Sequence, residues 1–391
     1  MGLMGEYIKK GLGTLELEKE LLSLIKEYNE YKGNYLFVYA SALNKSLPDI
    51  ALSTDDYYII YDMLRTNGNT NLDFYIETPG GNGTASEDIA EFLRSKFEKI
   101  SFVISGEAKS AGTILALSGD EIYMTGSGSL GPIDAQVKHG RAGGSAYDYM
   151  EWINQKKVEA QKTGRLNPVD ATMIAQISPA ECKGVYNALK FAEDIVKKWL
   201  VEYKFKDWEY TETNHTEVTE DMKKKRAEKI AQELTKHGRW RTHGRSLKIH
   251  HLEDIGLKIN KIDDDPELAE IVYKIQTVIK MLFSTTSAYK IFATEEDKLM
   301  KNAVEKSISK AIPQANQING GKIQIKCERC GTTHEFYFKF VDDPDLEKKY
   351  QSEGLKPFPK DNKLKCSCGY EIDLIGIKNN IESNAGKKMI L

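Results

Sequence analysis

The sequence predicts an α/β protein built on a largely parallel sheet, with a small β module at its C-terminal end. Three observations carry that reading. Short apolar runs alternate with amphipathic segments from Gly33 onward, Gly-rich turns follow three of those runs, and four of the five cysteines fall in two close pairs near the C-terminus. Alternating strands and helices at such short spacing call for crossover helices that cover both faces of a parallel sheet. Functional turns in sheets of that kind lie beyond the C-terminal ends of the strands.

In chain order, residues 1–32 contain the amphipathic stretch "LELEKELLSLIKEYNEY", read as a packing or oligomerisation helix. Residues 33–262 form the main domain. "YLFVYA" (Tyr35 to Ala40), "LDFYIE" (Leu72 to Glu77), "ISFVIS" (Ile100 to Ser105) and "EIYM" (Glu121 to Met124) read as strands. "DDYYIIYDMLRT" and "SEDIAEFLRSKF" read as helices, the second carrying Ile89, Phe92, Leu93 and Phe97 on one face, and "SAGTILALSG" as a short third helix. After Asp134 the character turns helical, with a break at "TGRLNP" and a long helix from Pro179 to about Phe205. A polar insert and a charged helix follow, and "GRWRTHGRSLKIHHLEDIGLKI" reads as a last small helical unit ending in a strand. Residues 263–319 read as a charged helical linker, and 320–391 as a separate cysteine-bearing module.

Of the 391 residues 40% are hydrophobic, which is globular composition. A net charge of −3 from 55 basic and 58 acidic residues gives no global electrostatic footprint for nucleic acid or an anionic membrane. The basic run "MKKKRAEK" reads as a solvated helix face. The opening residues have no apolar core of signal-peptide type, and the apolar stretch around "SAGTILALSG" falls far short of the roughly 20 residues that a spanning helix needs. The expectation is a cytoplasmic protein without stable membrane insertion. Cys182 stands alone in a helical stretch and reads as a core thiol.

Three turns could carry chemistry. "TPGG" (Thr78 to Gly81) follows a strand, but its glycines match neither a dinucleotide fingerprint nor a P-loop, so phosphate binding is excluded and a bend or an oxyanion site remains. "GEAKSAGT" places Ser110 between a strand and a helix of small residues, with the Ala111 amide beside the hydroxyl, as an oxyanion donor must be. "GSGSLGPID" (Gly126 to Asp134) is a third Gly-rich turn after a strand end.

"ETPGG", "AKSAGTILALSGDEI" and "GSLGPIDAQ", in that order and spacing, resemble the serine dehydrogenase proteinase family, which is related to signal-peptide peptidase A and more distantly to the Clp protease proteolytic subunit. The resemblance runs from about Asp55 to Ile259. It implies the ClpP/crotonase-like fold of stacked βαβ units, assembly into a homo-oligomer, and a serine endopeptidase acting on a protein or peptide substrate. By carry-over Ser110 is the nucleophile, and the backbone amides of Gly81 or Gly80 and of Ala111 form the oxyanion hole. The histidine of the Clp subunits has Asp134 in its place here, and His139 is displaced by five residues. Signal-peptide peptidases use a downstream lysine, which burial can turn into a base. Lys162 matches that position best, with Lys156 and then Lys157 as alternatives. Two other readings stay open on the same fold: a crotonase-type acyl-CoA enzyme, and an inactive scaffold that binds partners through its C-terminal module.

In that module "IQIKCERCGTTHEFYFKF" and "NKLKCSCGYEIDLIGI" each set two cysteines at a turn between strand-like runs. Cys327 and Cys330 have C-x-x-C spacing, Cys366 and Cys368 the shorter C-x-C, and His334 is a further donor. Four thiolates from two knuckles suit a structural zinc ribbon, with no position left open for catalysis. The bound partner is unspecified by these residues; protein substrate, nucleic acid and the oligomer itself are the candidates.

Overall fold

A computed structural model of the chain describes residues 2–133, 135–139, 142–211, 213–303, 319–385 and 387–390, and divides into two units, Met1–Ala303 and Val304–Leu391. The strands of the first unit are β1 (Tyr35–Ser41), β2 (Asn71–Glu77), β3 (Lys99–Ile104), β4 (Glu107–Ala108), β5 (Glu121–Met124), β6 (Ser129–Leu130), β7 (Gln136–His139), β8 (Ala142–Ser145), β9 (Asn260–Lys261), β10 (Ala288–Ala293) and β11 (Lys298–Asn302). Its helices are α1 (Leu3–Lys10), α2 (Thr14–Lys32), α3 (Thr54–Leu64), α4 (Gly83–Lys96), α5 (Ala111–Ala116), α6 (Ala146–Thr163), α7 (Pro168–Ala175), α8 (Pro179–Trp199), α9 (Glu220–Thr235), α10 (His237–Trp240), α11 (Ile249–Ile255) and α12 (Pro266–Thr285).

Seven of these strands make one sheet in the order β11-β10-β1-β2-β3-β5-β9. It is parallel from β1 to β9 and antiparallel at β10 and β11. All seven residues of β1 are buried, as a strand covered on both faces requires. Its alternate residues feed two cores: Tyr35, Phe37 and Tyr39 one, Leu36, Val38 and Ala40 the other. On the first face Phe37, Phe74 and Phe102 from three adjacent strands pack ring on ring at 5.2 and 5.5 Å. Each such fully buried side chain contributes about 1.5–3 kcal/mol.

Local chemistry sets the helix ends. Asn82 caps α4 by accepting from the Thr84 and Ala85 amides, and Ser145 caps α6, which stops at Gly164 with φ +74°. The expected break at "TGRLNP" is followed by a further short helix, α7, started by Asn167 and Pro168.

The segment 263–319 differs from the expected linker over its described part. Residues 266–303 belong to the core of the first unit: α12 buries Leu268, Ile271, Val272, Ile275, Val278, Ile279 and Leu282 against the sheet and α2, and β10 pairs with β1. The charged residues of α12 occupy one side of an amphipathic helix whose apolar stripe decides its place. Residues 1–32 are likewise part of this unit, since α2 buries Leu17, Leu21, Leu24 and Ile25 in the same core.

The second unit holds β12 (Gly320–Lys326), β13 (Thr333–Lys339), β14 (Lys356–Pro357), β15 (Lys363–Lys365) and β16 (Glu371–Asp373), with helices α13 (Pro344–Ser352) and α14 (Ile375–Ala385). Strands β12 and β13 form one antiparallel hairpin, β15 and β16 another. Ile323, Ile325, Phe336, Phe358, Leu364 and Leu374 form its core.

Candidate functional site

The three Gly-rich turns meet beyond the C-terminal ends of β2, β3 and β5. A short ladder joins them: Thr78 pairs with Ala108, Ala108 with Leu130, and Leu130 with Leu247. Ser110 sits between β4 and α5 with φ 47° and ψ −114°. That conformation is costly for a residue with a Cβ, by about 1–3 kcal/mol, and persists only where its surroundings impose it. Here the Thr113 hydroxyl donates to the Ala108 carbonyl at 2.7 Å and accepts from the Gly131 amide at 2.9 Å. The Ser86 hydroxyl donates to the Ala111 carbonyl at 2.9 Å and ties α4 to the same turn.

Gly80 and Gly81 have φ of +101° and +152°. A Cβ on Gly80 would lie 2.7 Å from Ser110 Cβ and 3.4 Å from the Ala111 nitrogen, so only glycine lets this backbone approach the serine. A Cβ on Gly81 would strike the Leu52 backbone. The Leu52 amide donates to the Gly80 carbonyl at 2.8 Å, and the Asn82 amide to the Leu52 carbonyl at 2.9 Å. In an extended segment bonded on that side, the intervening Gly81 N–H points to the other. The Gly80 N–H donates to the Thr78 hydroxyl at 3.3 Å. Among the described residues the Gly81 and Ala111 N–H groups have no acceptor. Two free amides therefore flank a strained serine whose own hydroxyl makes no hydrogen bond among the described residues.

The candidate bases lie on α6. Lys156 forms ion pairs with Asp170 at 2.8 Å and Glu159 at 3.0 Å. Its bond to Asp170, then that to Glu159, raises its pKa above the usual lysine value. Lys157 and Lys162 are exposed. Lys162, in the last turn of α6, lines an open groove with Tyr147, Met150, Val158, Tyr186 and Leu189. Among the described residues no lysine ammonium is hydrogen-bonded to Ser110. Asp134 and the His139 side chain lie outside the described residues.

Lys109 is the residue whose role the sequence did not reveal. It is 5% exposed, and burial lowers its pKa below the usual lysine value against the opposing pull of Glu107. Its ammonium donates to Ser246 Oγ at 2.8 Å, Ser129 Oγ at 3.2 Å, the Leu130 carbonyl at 3.2 Å and the Arg245 carbonyl at 3.4 Å. The signal available was its place beside Ser110 and the hydroxyls of "GSLG" and "GRSL"; nothing in their spacing joins them.

In the second unit the four cysteine sulfurs lie within 4.8 Å of one another. Cys327 and Cys368 are 3.7 Å apart, Cys330 and Cys366 3.5 Å. Zinc–sulfur bonds of about 2.3 Å in a tetrahedron put sulfurs at just such separations. The C-x-C pair reaches the cluster because its turn closes one residue earlier: the Gly369 amide bonds the Cys366 carbonyl at 2.9 Å, as Gly331 bonds Cys327 at 2.8 Å. Bonds from the Cys368 amide and then from His334, whose Nε2 is 3.2 Å from Cys366 Sγ, hold the Cys366 thiol down at about 5. Four convergent sulfurs on two knuckles suit a soft divalent cation.

Residues 63–192 match the family described as NfeD1b, N-terminal domain. That span contains Gly80, Gly81, Ser110, Ala111, Lys156 and Lys162. Two uncharacterized proteins of Methanocaldococcus jannaschii are 28% and 26% identical to this chain over 189 and 212 residues, covering 48% and 54% of it. The matches take in 52% and 58% of those relatives, so the chain spans about half their length. Among solved structures, two of the 1510-N membrane-bound stomatin-specific protease are similar, one of them in complex with a substrate peptide. Their TM-score is 0.32 at 15% and 14% identity, over 56% of this chain and 74% and 79% of theirs. Among the described residues no helix is long and apolar enough to cross a membrane.

Proposed function

We propose that the chain is a serine endopeptidase that cleaves a cytosolic protein or peptide through Ser110. The observation that carries this reading is the pairing of a strained serine with two amides, those of Gly81 and Ala111, that have no acceptor among the described residues. In the reaction Ser110 Oγ bonds to the scissile carbonyl carbon while its proton passes to a neutral lysine amine, and the carbonyl electrons move to oxygen. The Gly81 and Ala111 amides receive that oxyanion, a contribution of about 3–4 kcal/mol for each donor of this kind. The lysine returns its proton to the leaving amine, and water then attacks the acyl-serine ester.

Lys162 is the base in this reading, because Lys156 is committed to Asp170 and Glu159. A lysine becomes a base when it leaves water. Lys162 lines an open groove between α6 and α8 that a substrate or a second copy of the chain would fill. The chain works as a homo-oligomer, and Cys327, Cys330, Cys366 and Cys368 hold a structural zinc.

A fluorophosphonate probe tests the central claim. The wild type is labelled, Ser110→Ala is not, and Lys162→Ala is labelled far more slowly. Equal labelling of wild type and Ser110→Ala would sink the peptidase reading; wild-type rates in Lys162→Ala would remove that base.

A further inference from the structure

Lys109 is a buried cation whose four partners are all neutral. Surface lysines lie in water and buried ones ordinarily meet a carboxylate, as Lys290 meets Asp56 at 2.6 Å. Around Lys109 the oxygens are two hydroxyls and two carbonyls, and no carboxylate is bonded to it among the described residues. Such a shell is expensive to build. Its oxygens come from two stretches far from the Ser110 turn: β6 some 20 residues on, and the segment at Arg245 and Ser246, 136 and 137 residues on.

The backbone follows the same route. Strand β4 pairs with β6, and Leu130 exchanges two hydrogen bonds with Leu247, at 2.9 and 3.1 Å. Lys248 then donates to the Gly128 carbonyl at 3.0 Å. A Cβ on Gly131 would lie 2.9 Å from Lys109 Cδ, so this glycine makes room for the lysine stem. The Lys109 carbonyl accepts from the Gly112 amide at 2.7 Å, and a Cβ on Gly80 would lie 2.8 Å from that carbonyl oxygen. One residue thus has its side chain locked into β6 and the 245–247 segment and its main chain locked into the turn that carries Ser110 and Ala111.

We propose that Lys109 is a positioning residue of the serine site: its ammonium, held by Ser129, Leu130, Arg245 and Ser246, fixes the strained Ser110 turn and keeps the Ala111 amide aimed at the acyl oxygen. The proposal rests on the serine-peptidase reading. It explains why the lysine beside the nucleophile is buried and faces away from it, and why "GRSL", far along the chain, closes on this site.

The test uses the full chain and three variants: Lys109→Met, Ser246→Ala and Ser110→Ala. A misaimed oxyanion amide slows acylation without weakening substrate binding. Lys109→Met is therefore expected to lower the rate of fluorophosphonate labelling and kcat on a peptide by about 100-fold with KM little changed. Ser246→Ala removes the shortest of four bonds at a half-buried residue, and is expected to lower both by about fivefold at an unchanged melting temperature. If Lys109→Met fails to fold, Ser246→Ala decides. Labelling lost in Ser110→Ala but at the wild-type rate in Ser246→Ala, and in Lys109→Met where it folds, overturns the role of Lys109 alone. A fall in activity carried by KM rather than kcat overturns it too. An unlabelled wild type overturns the peptidase reading and this proposal with it.

Discussion

The Ser110 turn and the cysteine knuckles are both tight turns, yet they place their strain differently. In the knuckles positive φ falls on Gly331 and Gly369, where it costs nothing, and the chemistry lies in four side chains. At the serine turn positive φ falls on Ser110 itself, and the proposed chemistry lies largely in the backbone, in two amides without acceptors among the described residues. A site made of side chains survives small shifts of its scaffold and fails when a ligand is lost. One made of backbone donors depends on every neighbour that fixes the main chain, which is why Thr113, Ser86 and Lys109 matter around Ser110.

The largest effect separates the two regions outright. The structural zinc proposed for the second unit would contribute about 10 kcal/mol or more to its folding. Cys327→Ser, or a strong chelator, is expected to empty the metal site and to open residues 319–390 to protease, while Ser110 keeps its probe labelling. Metal analysis with limited proteolysis checks both halves. Intact resistance after complete metal removal would mean that the core around Phe336 and Leu364 suffices alone.

Changes at Ser110 act in the opposite sense. Ser110→Ala and Ser110→Gly both remove the proposed nucleophile and are expected to lower peptide hydrolysis by about 10⁶-fold, or about 8 kcal/mol. Glycine also relieves the backbone, so Ser110→Gly is expected to be more stable than Ser110→Ala by about 1 kcal/mol or more. Thermal unfolding of the two inactive variants measures the difference. Equal stability would show that the turn stores no strain in its serine.

Gly80→Ala sharpens the contrast at smaller cost. The new methyl would enter the space of Ser110 Cβ and the Lys109 carbonyl, displacing the serine or the turn. Acylation is expected to fall by about 10²–10³-fold, the size of a lost oxyanion donor, with the cysteine unit untouched. Gly331→Ala, by comparison, has no atom closer than 3.8 Å to meet and is expected to cost only the φ penalty, about 1 kcal/mol, with metal retained.

The parallel sheet, its buried strands and the three Gly-rich turns were legible because periodicity and turn chemistry are local signals. The pairing of Gly80 with Ser110 was legible only through a resemblance, since 30 residues separate them. Residues 266–303 were misread as a linker: α12 mixes Glu and Lys with its apolar stripe, and β10 carries Lys290, a charge that looks foreign to a core strand. Its partner Asp56 lies 234 residues earlier, and no local pattern announces a buried pair. Lys109 escaped for the same reason, because the oxygens that hold it are ordinary serines and carbonyls brought close only by folding. Lys162 rests on its position along the chain alone, whereas the groove it lines exists only through the packing of α6 and α8.

A last expected effect, on stability and not on activity, concerns charge that supports the serine unit without touching its site. The Asp120 side chain, 6% exposed, bonds Arg94 at 2.7 Å, Lys206 at 2.8 Å and the Ile100 amide at 2.8 Å. Burial pushes its pKa up, but the Ile100 amide, Lys206 and Arg94 outweigh burial and hold it below the usual aspartate value. A carboxyl with a depressed folded pKa binds its proton more readily in the unfolded chain. Its stabilisation is present above the unfolded value near 3.8 and is lost as pH falls through the folded one. Asp120→Asn is therefore expected to lose about 1–3 kcal/mol at pH 7 and to converge on the wild type in acid. Denaturant unfolding at pH 7 and below pH 4 measures it. Ser110 labelling at pH 7 should be unchanged, because Asp120 fixes the edge of β3 and β5 and not the turn. A loss of labelling as large as that of Gly80→Ala would mean that the backbone site depends on the whole sheet and not on its immediate neighbours alone.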